Sequence, residues 1–158
     1  MSIQVGDTLP SMLLQEGSPG NTVDIETLFK GKRGILFGVP GAFTPDCNDV
    51  HLPGYIKNAE ELAEKGIEVI VCVAVNDSFV MGCWGRATGA EGKVRMLADP
   101  HAEFSKAIGV AADAPWLGGT RSTRYSMVIE NNVVESIHRE PDGFGLDCSL
   151  AEPLLASL

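Results

Sequence analysis

The sequence predicts an α/β domain: a mixed β-sheet with helices on both faces. Three observations carry this. Two apolar runs, "RGILFGV" (33–39) and "IEVIVCVAV" (67–75), flank a segment of helical period. Two later stretches carry helix signals, one at Asp77 and one between Asp99 and Gly109. A β-rich stretch near the end folds back at Asn131-Asn132. Strand, helix and strand in succession imply parallel neighbours joined by a right-handed crossover.

Each element has a local reason. The first run is short, apolar and bounded by Gly and Pro, which marks a buried strand. The second is rich in β-branched residues. Between them, "TPDCNDVHLPGYIKNAEELAEKG" sets Leu52, Ile56, Ala59, Leu62 and Ala63 on one face. Gly66 is placed to stop that helix. Pro53 lies inside it and, lacking an N–H, should kink it. "DSFVMGCWGRATGA" predicts a second helix with Asp77 as N-cap. "KVRMLAD" predicts a third strand. In "DPHAEFSKAIG", Asp99 reads as N-cap, Pro100 as the first helical residue and Gly109 as the residue after the end. "TRYSMVIENNVVESIHRE" reads as a hairpin, because Asn tolerates the positive φ of a tight turn. "SLAEPLLASL" opens with a Ser149-x-x-Glu152 capping box and predicts a C-terminal helix. The order is β-α-β-α-β-α-β-β-α, a mixed sheet closing on an antiparallel hairpin. A thioredoxin-like architecture is one fold with this order, though element order alone does not select it.

With 158 residues, one domain spanning 1–158 is expected. Apolar residues make up 44% of the chain, enough for a core, and the dispersed 21% of charged residues oppose disorder. The formal charge of −9 opposes nucleic acid and anionic membranes as partners. No apolar run reaches the length of a membrane span. "MSIQVGDTLP" shows neither the basic nor the apolar region of a secretory signal. A reducing compartment is therefore expected. The four cysteines, Cys47, Cys72, Cys83 and Cys148, should be free at rest or cycle catalytically. Their wide spacing, with no C-x-x-C, opposes a closed zinc site.

The chemistry concentrates in "GVPGAFTPDCNDVHLPGY" (38–55). Thr44 reads as N-cap, and Pro45 suits the first helical position. Cys47 then falls at the third, among unpaired N–H groups and the positive end of the helix dipole. Both favour thiolate over thiol and so a reactive cysteine rather than an inert core one. Asp46 works the other way if it points inward; on the helix start it should face solvent. A redox helix of the thioredoxin kind opens with C-x-x-C, whereas here Thr44 to Cys47 reads T-P-D-C. A thiol without that neighbour closes no local disulfide. Beside a hydroxyl that positions a substrate oxygen, it suits oxidation by a peroxide to sulfenic acid. Two rivals stand beside this reading. Cys47 and His51 lie four residues apart, the spacing of a Cys–His pair in a thiol hydrolase. A structural or chaperone-like oligomer with buried thiols is the non-enzyme alternative. Consumption of hydrogen peroxide separates all three.

The stretch "ILFGVPGAFTPDCNDVHLPG" resembles the active-site loop of peroxiredoxins, and most closely the type II (atypical two-cysteine) group that contains animal peroxiredoxin-5. The likeness extends over nearly the whole chain, through "VGDTLPS", "VNDSFVMGCWGRA", "EGKVRMLADP", "RYSMVIE" and "EPDGFGLDCSLA". The resemblance implies a thioredoxin-like fold and a thiol-dependent peroxidase that works without metal or organic cofactor. Its substrates would be hydrogen peroxide and alkyl hydroperoxides, with peroxynitrite as a further one. It implies Cys47 as the peroxidatic cysteine, Thr44 and Pro40 as its companions and Arg124 as the catalytic arginine. A permanent cation suits the charge that peroxide oxygens gain as the thiolate attacks. Arg86 is a weaker candidate, better read as half of a surface ion pair. By the same resemblance Cys148, in a Gly-rich loop, resolves the sulfenic acid as an intramolecular disulfide that thioredoxin reduces. Cys72, in a strand, is the alternative resolver, as is a one-cysteine cycle using glutaredoxin or glutathione. Cys83 has no implied role. Monomer and homodimer both remain open. The cytoplasm is the expected location, or a mitochondrion or peroxisome if a presequence has been removed.

Overall fold

The computed structural model describes residues 2–158. The chain begins with a hairpin of β1 (Leu13–Glu16) and β2 (Ser18–Asp24), then α1 (Ile25–Phe29) and β3 (Arg33–Val39). A π turn (Cys47–His51) leads into α2 (Leu52–Lys57) and α3 (Ala59–Glu64), then β4 (Val69–Ala74), α4 (Ser78–Thr88) and β5 (Arg95–Ala98). Next come α5 (Glu103–Ala107), a small hairpin of β6 (Ala111–Ala114) and β7 (Gly119–Ser122), and the pair β8 (Tyr125–Glu130) and β9 (Val133–Arg139). The last element is α6 (Ala151–Ala156). No described helix is long and apolar enough to cross a membrane.

Seven strands form one sheet in the order β2-β1-β5-β4-β3-β8-β9. The strands β3, β4 and β5 are parallel, and β8 and β9 add antiparallel at one edge, as expected. Both faces of β3 are covered, which is why its sequence is continuously apolar rather than alternating. Ile35, Phe37 and Val39 face a core shared with Cys47, Tyr55, Cys72 and Trp84. Leu36 faces the other, with Val71, Phe104 and Tyr125. Gly38 has a close-packing role: a Cβ there would lie 2.2 Å from the Tyr125 ring.

Several local expectations hold. Asp77 caps α4, accepting from the Val80 N–H at 2.8 Å. Gly66 (φ +92°) ends α3 and Gly109 (φ +79°) follows α5. Asn131 and Asn132 take φ of +47° and +67° and make the hairpin turn.

Others are corrected. The segment after β3 is not one α-helix but the π turn followed by α2 and α3. In the π turn the Leu52 N–H reaches the Cys47 carbonyl. Pro53 has no N–H to give and its ring crowds the carbonyl four residues back; widening the turn by one residue relieves both. Ala63 is exposed and not on the buried face. Helix α5 starts at Glu103, later than read, after a turn with Ala102 at φ +57°. Asp99 still serves it, accepting from the Phe104 and Ser105 N–H groups at 3.1 and 2.9 Å. The Ser149–Glu152 capping box does not form. Ser149 gives its hydroxyl to Glu140 at 2.6 Å, and Glu152 accepts from Asn58. The β1–β2 and β6–β7 hairpins and α1 are additions to the expected order; Asp24 caps α1 with its carboxylate.

Candidate active site

The loop after β3 is built by short-range bonds. Asn76, beyond the end of β4, accepts from the Ala42 N–H at 2.9 Å and so ties the loop to the parallel strand pair. The Thr44 carbonyl accepts from the Asn48 N–H at 2.8 Å, the first bond of the helical segment. Thr44 is thus the backbone N-cap. Its hydroxyl, however, donates to the Gly41 carbonyl at 2.7 Å rather than capping an N–H. Gly41 is constrained too, since a Cβ there would sit 3.1 Å from Thr44 Cγ2 and 3.3 Å from an Arg121 nitrogen. Trp84, buried in α4, donates its indole N–H to Asn48 at 2.9 Å and pins the residue next to Cys47.

A cleft of ≈ 300 Å³ opens at this loop, lined by Pro40, Thr44, Asp46, Trp116, Arg124 and Phe144, among others. Trp116 and Phe144 pack edge to face, with ring centroids 5.4 Å apart. Cys47 comes directly after Asp46 in the chain and is wholly buried. Burial alone would suit an inert thiol. What sets Cys47 apart is that Thr44, Pro45 and Asp46, directly ahead of it, wall a cleft that also holds an arginine. Asp46 is exposed, as expected at this helix start.

Arg124 is only 3% exposed, so it is no solvated strand charge. Its Nη1 lies 3.0 Å from His51 Nδ1, and its Nε donates to the Phe144 carbonyl at 3.4 Å. Guanidinium only donates, so His51 Nδ1 is the acceptor. Nε2 then carries the proton and donates to the Ser149 carbonyl at 3.1 Å. Burial and, second, the Arg124 charge push the His51 pKa down to about 3, so the ring is neutral. Both ring nitrogens are engaged. The Cys–His pair of a hydrolase therefore has no free nitrogen to act as base. His51 instead positions Arg124, a role sequence reasoning missed. A buried arginine needs hydrogen-bond acceptors, and the His at position 51 of the same motif was the signal.

The other candidates lie in differing surroundings. Arg86 is exposed and lines a separate cleft beside Glu16; the arginine paired with Glu16, at 2.7 Å, is Arg95. Cys72 is fully buried opposite Phe37, and burial pushes its thiol well up. Cys83 is exposed on α4. Cys148 is half-buried, and its thiol donates to the Arg139 carbonyl at 3.2 Å. Burial, then the Glu140 and Asp147 carboxylates, push that thiol up. All four cysteines are unbonded. Arg121, also unanticipated, bridges the Val75 and Leu117 carbonyls and so braces one wall of the cleft.

Residues 4–152 match the model of the redoxin family. Peroxiredoxin-2E of Arabidopsis thaliana, a chloroplastic protein, is 42% identical over 99% of this chain and 70% of its own. Peroxiredoxin-2C of the same organism is 39% identical, covering 99% of this chain and 98% of its own. Among solved structures, reduced Prx3 of Vibrio vulnificus in complex with hydrogen peroxide superposes with a TM-score of 0.92, at 44% identity over 99% of both chains. Peroxiredoxin 5 of Alvinella pompejana gives a TM-score of 0.88 at 42% identity, over 98% of this chain and 97% of its own. A buried cysteine behind an arginine-bearing cleft, on a thioredoxin-like sheet and with these relatives, places the chain in the redoxin family, as a type II peroxiredoxin related to peroxiredoxin 5.

Proposed function

We propose that this peroxidase reduces hydrogen peroxide and alkyl hydroperoxides at Cys47, is resolved by Cys148 and is recycled by thioredoxin. The observation that carries it is the cleft in which Arg124, held by His51 and the Phe144 carbonyl, faces the loop that leads into Cys47. The Cys47 thiolate attacks one peroxide oxygen. The S–O bond forms, the O–O bond breaks, and the leaving oxygen departs as RO⁻ and takes a proton to give ROH. Sulfur loses two electrons and becomes sulfenic acid. Charge grows on the peroxide oxygens in this step, and the guanidinium of Arg124, which lines the cleft, stabilises it. The Thr44 hydroxyl, already donating to Gly41, keeps oxygen lone pairs for the peroxide O–H. Pro40 adds an apolar wall without a competing donor. The relative solved with hydrogen peroxide bound supports the substrate class.

Resolution follows when the Cys148 sulfur attacks the Cys47 sulfur. The S–S bond forms, the S–O bond breaks, and hydroxide leaves with the thiol proton as water. A thioredoxin dithiol then supplies two electrons and two protons to restore both thiols. Cys148 sits in the loop "PDGFGLDCS", where few helical or strand bonds resist opening. Cys72, by contrast, is locked in a central strand with its thiol pushed up by burial. Peptide mapping after one equivalent of peroxide tests the assignment. A Cys47–Cys148 peptide is expected. A Cys47–Cys72 peptide, or a bond between chains, refutes it. Cys148→Ser protein should consume one equivalent of peroxide and then fail to turn over with thioredoxin.

A further inference from the structure

Two carboxylates tie the loop that carries Cys148: Asp142 holds its middle, accepting from the Phe144 and Gly145 N–H groups at 2.9 and 2.7 Å, and Glu140 holds the Cys148 end. Glu140 lies at the end of β9 and is 4% exposed. One of its oxygens, Oε2, accepts three bonds: from the Asp147 N–H at 2.9 Å, the Ser149 N–H at 2.9 Å and the Ser149 hydroxyl at 2.6 Å. These donors flank Cys148 on both sides. Burial works against the charge, yet the Ser149 and Asp147 donors hold the Glu140 carboxyl below its ordinary range. Charge-assisted bonds of this kind are about twice as strong as neutral ones.

The same loop also holds the arginine. The Arg124 N–H donates to the Gly143 carbonyl at 2.7 Å, and its Nε to the Phe144 carbonyl. On the other side, Arg124 meets His51, whose outer nitrogen is held by the Ser149 carbonyl. Tyr55 donates to that carbonyl as well, at 2.8 Å. Both hydrogen-bond partners of the guanidinium therefore touch the loop from Glu140 to Ser149: Phe144 lies in it, and His51 is bonded to its Ser149 carbonyl.

We propose that Glu140 is the latch of the Cys148 loop and, through Ser149 and His51, a positioning residue for Arg124. Closed, the loop keeps the arginine aimed for the peroxide step and holds Cys148 on the Arg139 carbonyl. Open, it frees Cys148 for resolution and releases the arginine. One carboxylate thus sets the two half-reactions against each other. Tighter latching favours peroxide attack and leaves the sulfenic acid longer exposed to a second oxidation. Looser latching favours the disulfide. The resolution half of this proposal rests on Cys148 being the resolving thiol; the arginine half does not.

The test is rapid mixing of the reduced full chain with hydrogen peroxide, quenched for mass spectrometry. It reads sulfenic acid formation and Cys47–Cys148 disulfide formation separately. Glu140→Gln should speed the disulfide step about tenfold and slow sulfenic acid formation by a similar factor, the scale of lost hydrogen bonds to a charged group. Removing the Glu140 charge also eases ionisation of Cys148, so a second variant is needed. Ser149→Ala keeps that charge and removes one latch bond; it should move both rates in the same directions, by less. In an Arg124→Ala background, Glu140→Gln should slow sulfenic acid formation no further. A folded Glu140→Gln protein with both rates unchanged overturns the proposal. So does acceleration in Glu140→Gln without any in Ser149→Ala, which would reduce Glu140 to a charge acting on the thiol. Additive slowing on top of Arg124→Ala also overturns it. If wild-type protein forms no Cys47–Cys148 peptide, the resolver assignment fails on its own. The slowing of sulfenic acid formation, measured in Cys148→Ser protein, then still decides the arginine half.

Discussion

Replacing His51 by Gln should flatten the acid dependence of stability. In the folded protein His51 is neutral, with its pKa lowered from 6.5 to about 3 by burial and then by Arg124. In the unfolded chain it titrates near its ordinary value. Between those two values the unfolded state binds the extra proton, so stability rises with pH and is lost as pH falls. The loss begins near pH 6.5 and grows by about 1.4 kcal/mol per unit. At pH 4.5 it reaches roughly 3 kcal/mol, a large share of the total stability of an ordinary domain. Gln accepts and donates without titrating, so it can face both Arg124 and the Ser149 carbonyl. Urea unfolding of both proteins at pH 7.5, 6.5, 5.5 and 4.5 gives the comparison. Wild-type stability minus that of His51→Gln should be constant above pH 6.5 and fall steadily below it. Parallel curves down to pH 4.5 would falsify the neutral, doubly bonded His51, and with it the assignment of His51 Nδ1 as acceptor for Arg124.

Two further outcomes follow from the same geometry. Arg124→Ala should slow sulfenic acid formation by about 10²-fold or more, as loss of an aimed donor does elsewhere; rapid mixing with hydrogen peroxide measures it, and an unchanged rate removes Arg124 from the peroxide step. Gly38→Ala should cost about 1–3 kcal/mol by urea unfolding, because its methyl would press on a buried Tyr125 ring held by the sheet; a variant as stable as wild type would show that the ring yields freely.

Much of this molecule was legible in local signals. The strands β3 and β4 announced themselves because each is buried on both faces, which demands continuous apolar residues whatever the rest of the chain does. The Asp77 cap and the Asn131-Asn132 turn were equally local, each made within three or four residues of chain. The β1–β2 hairpin escaped because "SPGNTVD" is a polar edge strand whose pairing, not its composition, makes it one. The motif around Cys47 named the thiol and its companions through resemblance. What it could not supply was the pairing of its His51 with Arg124. His51 and Arg124 stand 73 residues apart, and His51 and Ser149 98 apart. Only the packing of the π turn and the Cys148 loop against the sheet brings them together. In that dry interior a histidine loses its charge and becomes an acceptor, and a serine written as a helix cap spends its hydroxyl on a buried glutamate. Sequence decides which groups are present and which backbone shapes are cheap. The roles of His51, Ser149 and Glu140 were decided by desolvation, which penalises a buried polar atom left without a partner and acts only once the tertiary structure has formed.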